Sequence, residues 1–288
     1  MNNGKNKLLM EALEVLNRKT NQDWMDSLPA RKLAELEFHD KDRKQDAAPA
    51  EGRKAAAPGN HIFYSVAGNS HKYARAWIGD NSSGRVFLDY ACGNGSNAIL
   101  AAQSGAELAI GIDLSSVSIG NARRNAESQG VAGNTCFVQS DCENTGLPDA
   151  SIDTVICSGM LHHLDLDKAF AELARIIKPG GVCLGVEALS YNPVFQLYRN
   201  LTPNLRTEWE KSHILSLGDL KKARKYFDAA NVKYWHLLSV PVSLLKGTFL
   251  FNPALKLALL ADEVLLRVWP FRLMAWMFTF ELRRKSAS

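Results

Sequence analysis

The 288-residue chain has few cysteines, few prolines and little net charge. Its five cysteines, Cys92, Cys136, Cys142, Cys157 and Cys183, are odd in number and contain no Cys-x-x-Cys pair, so neither a disulfide framework nor a zinc site is expected. Ten prolines and twenty glycines exclude collagen-like repeats, and 46% apolar residues exclude wholesale disorder. No apolar run reaches the ~18 residues of a spanning helix, because Lys256, Asp262, Glu263, Arg267 and Arg272 interrupt the C-terminal stretch. A net charge of +4 is too small to argue for a nucleic-acid partner. The N-terminus, MNNGKNKLLMEALEVLNRKT, has charges among its leucines and no small-residue cleavage site. It does not read as a secretory signal, and a cytoplasmic setting is expected.

The charge that is present is unevenly placed. Residues 81–160 carry 3 basic and 8 acidic groups, whereas the last 48 residues carry 7 and 3. An acidic middle and a basic, apolar tail therefore need separate explanations.

Leu8, Leu9, Ala12, Leu13 and Leu16 form one helical stripe, and Leu33 and Leu36 lie in a second helix-like stretch. DAAPAEGRKAAAPG, residues 46–59, lacks large apolar residues and reads as a connector. The expected organisation is a helical appendage over 1–45, a linker over 46–59 and a main domain over 60–288. In that domain strand-like runs alternate with helical ones: 85–90, 107–113, 135–139, 154–157 and 182–186 as strands, with helices at 97–103, 115–129 and 166–177. Such alternation means an α/β fold, a parallel sheet covered by helices on both faces. Beyond it the sequence predicts a helix over 217–230, a strand over 232–240, a broken apolar helical stretch over 242–268 and a last strand over 276–282.

The densest signal is FLDYACGNGSNAILAA, residues 87–102. A buried strand ends in Asp89, a loop carries Gly93 and Gly95, and a helix follows. Glycines let the backbone approach a ligand, and the helix start attracts an anion. Taken alone, Gly93-x-Gly95-x-x-Ala98 with Asp113 downstream also fits a dinucleotide fingerprint. Three features separate the readings: Asp89 before the glycines, Asp141 after the third strand, and Ser158-Gly159-Met160-Leu161-His162-His163 after the fourth.

With these residues the chain resembles the class I S-adenosylmethionine-dependent methyltransferases along about 85–190, with Ala91 where that family usually has glycine. The resemblance implies a Rossmann-like, doubly wound seven-stranded sheet, parallel except for an antiparallel last strand, with an apolar helical insert before that strand. It implies S-adenosyl-L-methionine as cofactor and S-adenosyl-L-homocysteine as product. Asp113 would serve the ribose and Asp141 the adenine, with the Cys142 backbone nearby and Leu114 also in the cofactor-binding set. Asp89, Ala91, Cys92, Gly93, Gly95 and Ser158 would line the remaining cofactor surface. His162 and His163 are candidate general bases; alternatively one packs and the other caps the helix begun by Asp165 and Asp167.

Asn192-Pro193, Arg199-x-x-Thr202-Pro203, Arg206-Thr207 and His213, with Glu37-Phe38-His39-Asp40 and Phe63-Tyr64-Ser65 upstream, resemble a bacterial small-molecule subgroup. His39, Tyr64, Glu187, Tyr191, Arg206 and His213 are the substrate-binding candidates, within a substrate-side region of about 190–275. The apolar insert, Leu255 to Trp269, would pack beneath loops, form a homodimer interface, wall an apolar acceptor pocket or rest on a membrane surface. The expected activity is methyl transfer to a small or lipid-like metabolite, with oxygen favoured as acceptor atom and no metal required. An RNA-modifying enzyme, or a protein that binds the cofactor without methylating, are the alternatives.

Overall fold

The computed structural model describes residues 2–46 and 61–286, so the expected linker lies outside the described residues apart from Asp46. Seven strands form one sheet: β1 (Val86–Tyr90), β2 (Leu108–Asp113), β3 (Thr135–Gln139), β4 (Ile152–Ser158), β5 (Ile177–Ala188), β6 (Phe227–Trp235) and β7 (Met277–Arg284). Their order is β3-β2-β1-β4-β5-β7-β6. β1 to β5 pair in parallel, and β7 runs antiparallel to both β5 and β6. This is the doubly wound fold expected from the sequence. Its strand order reverses between β1 and β4, and ligands of such sheets bind beyond the carboxyl ends of the strands at that point.

The central strands are buried on both faces, which is why VFLDY contains no polar position before Asp89. Two strand glycines admit aromatic rings onto the sheet. A Cβ at Gly185 would lie 2.2 Å from Phe280 Cζ, and one at Gly111 would lie 2.5 Å from Phe137 Cδ1.

The N-terminal helices α1 (Asn2–Arg18), α2 (Asn21–Ser27) and α3 (Ala30–Asp46) are packed on the sheet. Leu9, Leu13, Leu16 and Trp24 join the core that contains Tyr90, Ile112 and Val138. Thr20 and Asp23 cap α2 reciprocally. After α4 (His61–Tyr64) come the sheet-covering helices α5 (Gly68–Ser82), α6 (Ser96–Gln103), α7 (Ser116–Ser128) and α8 (Leu166–Ile176). Ser115 caps α7 and Asp165 caps α8.

The substrate-side region departs from the sequence reading. It contains α9 (Pro193–Leu201), α10 (Glu208–Ser212), α11 (Leu220–Ala223), α12 (Ser239–Val242) and α13 (Phe251–Leu265). The helix expected over 217–230 reduces to α11, because buried Phe227 already begins β6, paired with Arg284 of β7. That strand ends at Trp235 instead of Val240. Buried Asp262 of α13 accepts hydrogen bonds from the backbone N–H groups of Leu237, Leu238 and Ser239, turning the chain out of the sheet. One side of α13 packs through Phe251 and Leu255. Leu257, Leu260, Val264, Val268 and Trp269 stay more than half exposed. No described helix is long and apolar enough to cross a membrane.

Candidate active site

The floor of the site is the loop between β1 and α6. Gly93 and Gly95 adopt positive φ of 50° and 82°, a conformation cheap only for glycine. A Cβ at Gly95 would meet Ala122 and Phe137 at 2.8 Å. Ala91, the departure from the family loop, also has positive φ, 58°, so the loop keeps its shape at an alanine where that shape costs about 1–2 kcal/mol. Cys92 donates its backbone N–H to the Ile112 carbonyl at 2.8 Å, and burial pushes its thiol well above the ordinary range. It lines the loop and is no nucleophile.

Asp113 closes the loop from the tip of β2. One carboxylate oxygen accepts from Gly93 N (2.9 Å) and the other from Ser115 N (2.8 Å). Each oxygen thus keeps a further lone pair for a ligand. Leu114, beside it, accepts from Gln139 Nε2 at 2.7 Å. Burial raises the Asp113 carboxyl against those two backbone hydrogen bonds and the nearby Arg43 and His39 charges.

Asp89 is buried beneath the loop and accepts from Asn97 Nδ2 and Ala98 N, both at 3.3 Å. Burial dominates those bonds and pushes its pKa from 3.8 to about 7, with Asp113 adding repulsion. The folded carboxyl holds its proton across a window, pH 4 to 7, in which the unfolded one has lost it. The stability that Asp89 contributes should therefore be fully present below that window, fall as pH rises through it, and level off above pH 7. Asp89→Asn should flatten that slope and melt above the wild type at pH 8. Parallel melting curves across pH 4–8 would refute the assignment.

The third acid has a partner from the chain itself. Lys32 of α3 donates to both oxygens of Asp141, at 2.7 and 2.5 Å, and pairs with Glu143 at 2.8 Å. Arg31 pairs with Glu143 and donates to the His163 carbonyl. Further along the same helix, a Cβ on Gly93 would lie 2.9 Å from Arg43 Nη2. The helix read from sequence as part of an appendage is thus the roof of the site, with Lys32 on Asp141 and Arg43 near Asp113. Cys142, following Asp141, is buried and its carbonyl accepts the Tyr90 hydroxyl.

At the carboxyl ends of β4 and β5 lies a second cluster. Glu187, fully buried, accepts from Met160 N (2.8 Å) and Leu161 N (2.7 Å), and its other oxygen meets His162 Nδ1 at 2.8 Å. Burial lowers the His162 pKa, but the Glu187 charge outweighs it with help from Glu210, and the result is about 9. His162 is therefore an imidazolium at neutral pH. His163, one residue on, is lowered by burial and by the His162 charge. Its Nδ1 meets Glu35 at 2.8 Å, and its Nε2 lies 3.6 Å from Glu210. His39 packs edge-on against it, 4.8 Å between ring centroids. Ser158 is exposed at the end of β4.

Among the substrate-side candidates, Glu187 and His39 join this cluster, and Tyr64 stands at its rim, half-exposed against Trp276. Three others do not join it. Tyr191 Oη accepts from Leu217 N at 3.1 Å and braces its own loop. Arg206 is buried and donates to the Thr202 carbonyl (2.8 Å) and hydroxyl (3.0 Å). His213 stacks on Trp209 with 3.7 Å between centroids, beside a separate pocket of about 270 Å³. Glu35 and Glu210 belong to the cluster without having been singled out, as does Thr207, read from sequence only as part of the Arg206-Thr207 pattern. Glu35 lies one helical turn before His39, and Thr207-x-x-Glu210 has the form of a capping box, so both spacings were there to be read.

The chain is similar to known proteins in the same segment. A family model described as a methyltransferase domain matches residues 88–185. The ubiquinone/menaquinone biosynthesis C-methyltransferase UbiE of Pseudomonas entomophila is 32% identical over 171 residues, 58% of this chain and 61% of that protein. The sterol 24-C-methyltransferase erg6 of Aspergillus fumigatus is 30% identical over 127 residues, 44% of this chain and 33% of that protein. The chain thus spans from one third to about three fifths of the length of these curated relatives. In fold it resembles the geranyl diphosphate C-methyltransferase of Streptomyces coelicolor, with a TM-score of 0.59, 13% identity, and coverage of 90% of this chain and 98% of that one. Over residues 88–185 the chain is thus similar to a methyltransferase domain, and its fold is that of the solved methyltransferase structure.

Proposed function

We propose that this protein transfers a methyl group from S-adenosylmethionine to a small, lipid-like acceptor. The observation that carries the reading is the Asp113 carboxylate at the tip of β2, one strand from the switch point, tied to Gly93 and Ser115 beside the glycine loop. The cofactor would supply an electrophilic methyl on a sulfonium. Asp113 would hold the ribose hydroxyls, and Asp89 would face the ammonium end. Asp141 would take the adenine amino group once Lys32 releases it, so loading requires α3 to give up contacts with the acids it now covers. What the chain supplies beyond binding is alignment and exclusion of water. His162, His163 and Glu187 stand where the fourth and fifth strands end and would position the acceptor.

These three relatives are C-methyltransferases by name, of ubiquinone/menaquinone biosynthesis, of a sterol and of geranyl diphosphate. They favour carbon over the oxygen acceptor expected from sequence. The exposed Leu257, Leu260, Val264, Val268 and Trp269, flanked by Lys256, Arg267 and Arg272, suit contact with an anionic lipid surface from which such an acceptor is drawn. Incubation of the protein with labelled cofactor and a cell extract, with lipids in anionic vesicles or removed, tests both parts. Label should appear in an organic-extractable product, faster with vesicles, with the new methyl on carbon by NMR. Label in RNA, or in nothing, would overturn the reading.

A further inference from the structure

Four side chains of the second cluster form a set of which the methyl-transfer reading uses only His163. We propose that Glu35, His39, His163 and Glu210 bind a divalent first-row transition-metal ion. One donor atom from each lies within 4.8 Å of the other three. The donors come from three elements: α3 supplies Glu35 and His39 one turn apart, the turn after β4 supplies His163, and α10 supplies Glu210.

Three observations point to a cation. The Nε2 of His39 is buried and has no hydrogen-bond partner, with the nearest Glu35 oxygen 3.7 Å away. A buried ring nitrogen left unsatisfied beside a carboxylate lacks what a metal ion would supply. Second, the basic side chains facing the two carboxylates are histidines, whereas the neighbouring Lys32 and Arg31 are engaged by Asp141 and Glu143. A dication would balance Glu35 and Glu210 with both imidazoles neutral. Third, the carboxylates are already oriented by outer partners. The Thr207 hydroxyl donates to Glu35, and the Thr207 N–H donates to the second oxygen of Glu210 at 2.8 Å. Such outer hydrogen bonds are the usual support of metal ligands.

Two nitrogens, two oxygens and no sulfur favour zinc, manganese or iron(II) over copper(I), and histidine disfavours magnesium and calcium. Bonds of about 2.0–2.2 Å would draw the four donors inward by roughly an ångström each. A bound ion would pin the roof helix α3 to the body of the domain. The inference stands apart from the methyl-transfer reading, because metal content can be measured without any acceptor.

Chelator-stripped full-length protein is dialysed against Zn²⁺, Mn²⁺ or Mg²⁺, its metal content is measured by mass spectrometry, and Co²⁺ serves as an optical probe. About one Zn²⁺ or Mn²⁺ per chain should be retained, Mg²⁺ should not, and Co²⁺ should give visible bands. His39→Ala and His163→Ala should weaken binding by more than the ~10–100-fold typical of outer-shell changes. His213→Ala should keep the full equivalent. Should His163→Ala fail to fold, Glu210→Gln preserves shape and capping and should lose the metal equally. No stoichiometric uptake, or uptake equal in all variants, would overturn the site.

Discussion

Asp113→Ala should cost the protein at least about 100-fold in affinity for S-adenosylhomocysteine. A carboxylate that accepts two hydroxyls makes two charge-assisted hydrogen bonds, each contributing about 1.5–3 kcal/mol, and a factor of ten in affinity is 1.4 kcal/mol. The same carboxylate also anchors Gly93 N and Ser115 N, so the substitution frees the loop that forms the cofactor floor. Binding loss and instability must therefore be separated. Asp113→Asn keeps the shape and one acceptor oxygen, so it should melt closer to the wild type while still losing most of the affinity. Calorimetry with S-adenosylhomocysteine, paired with melting curves, decides. Wild-type affinity in a folded Asp113→Asn variant would remove Asp113 from the cofactor site. Lys32→Gln is the informative companion: it frees Asp141 from its ammonium partner, and affinity should rise if α3 and the cofactor compete for that acid.

The contact of α3 with Asp141 was not legible in the sequence, for a physical reason. Strand–helix alternation, the glycine loop and an acid at each strand tip are local patterns whose geometry is set within a few residues. Asp89, Gly93, Gly95, Asp113 and Asp141 accordingly stand where their spacing placed them. The roof is a long-range contact. Lys32 and Asp141 are 109 residues apart, and no local pattern announces that α3 will lie across the sheet. Arg206 and His213 failed to join the cluster for a related reason. Their segment was matched as a motif, but burial of Arg206 directs it to Thr202, and the exposed face of Trp209 captures His213. The metal-ligand candidates were missed because they are shared among three segments, and only Glu35 and His39 carry a recognisable i, i+4 spacing. At the C-terminus, the helix expected over 217–230 gave way to β6 because pairing with β7 outweighed local propensity.

The largest effect on turnover should come from Glu187. It is fully buried, and its two oxygens gather Met160 N, Leu161 N and His162 Nδ1, so it sets the path of the chain where the fourth strand opens onto the acceptor side. Glu187→Ala would leave three buried donors without an acceptor, at about 1–3 kcal/mol each, and would test folding more than function. Glu187→Gln is the sharper variant. Its single carbonyl oxygen can still serve the two backbone N–H groups, but its amide presents a donor to His162, which donates as well. The ring should turn away and lose the charge that keeps it an imidazolium. We expect kcat to fall by about 10²-fold, the scale of a misaligned positioning group. Affinity for S-adenosylhomocysteine, read at Asp113, should stay within about threefold. Because His162 acts through this pairing, His162→Gln should cost a similar factor, and the double variant should cost little more than either alone. Full additivity would mean that the two residues act separately, and an unchanged kcat beside a lowered melting temperature would reduce the pair to a structural brace.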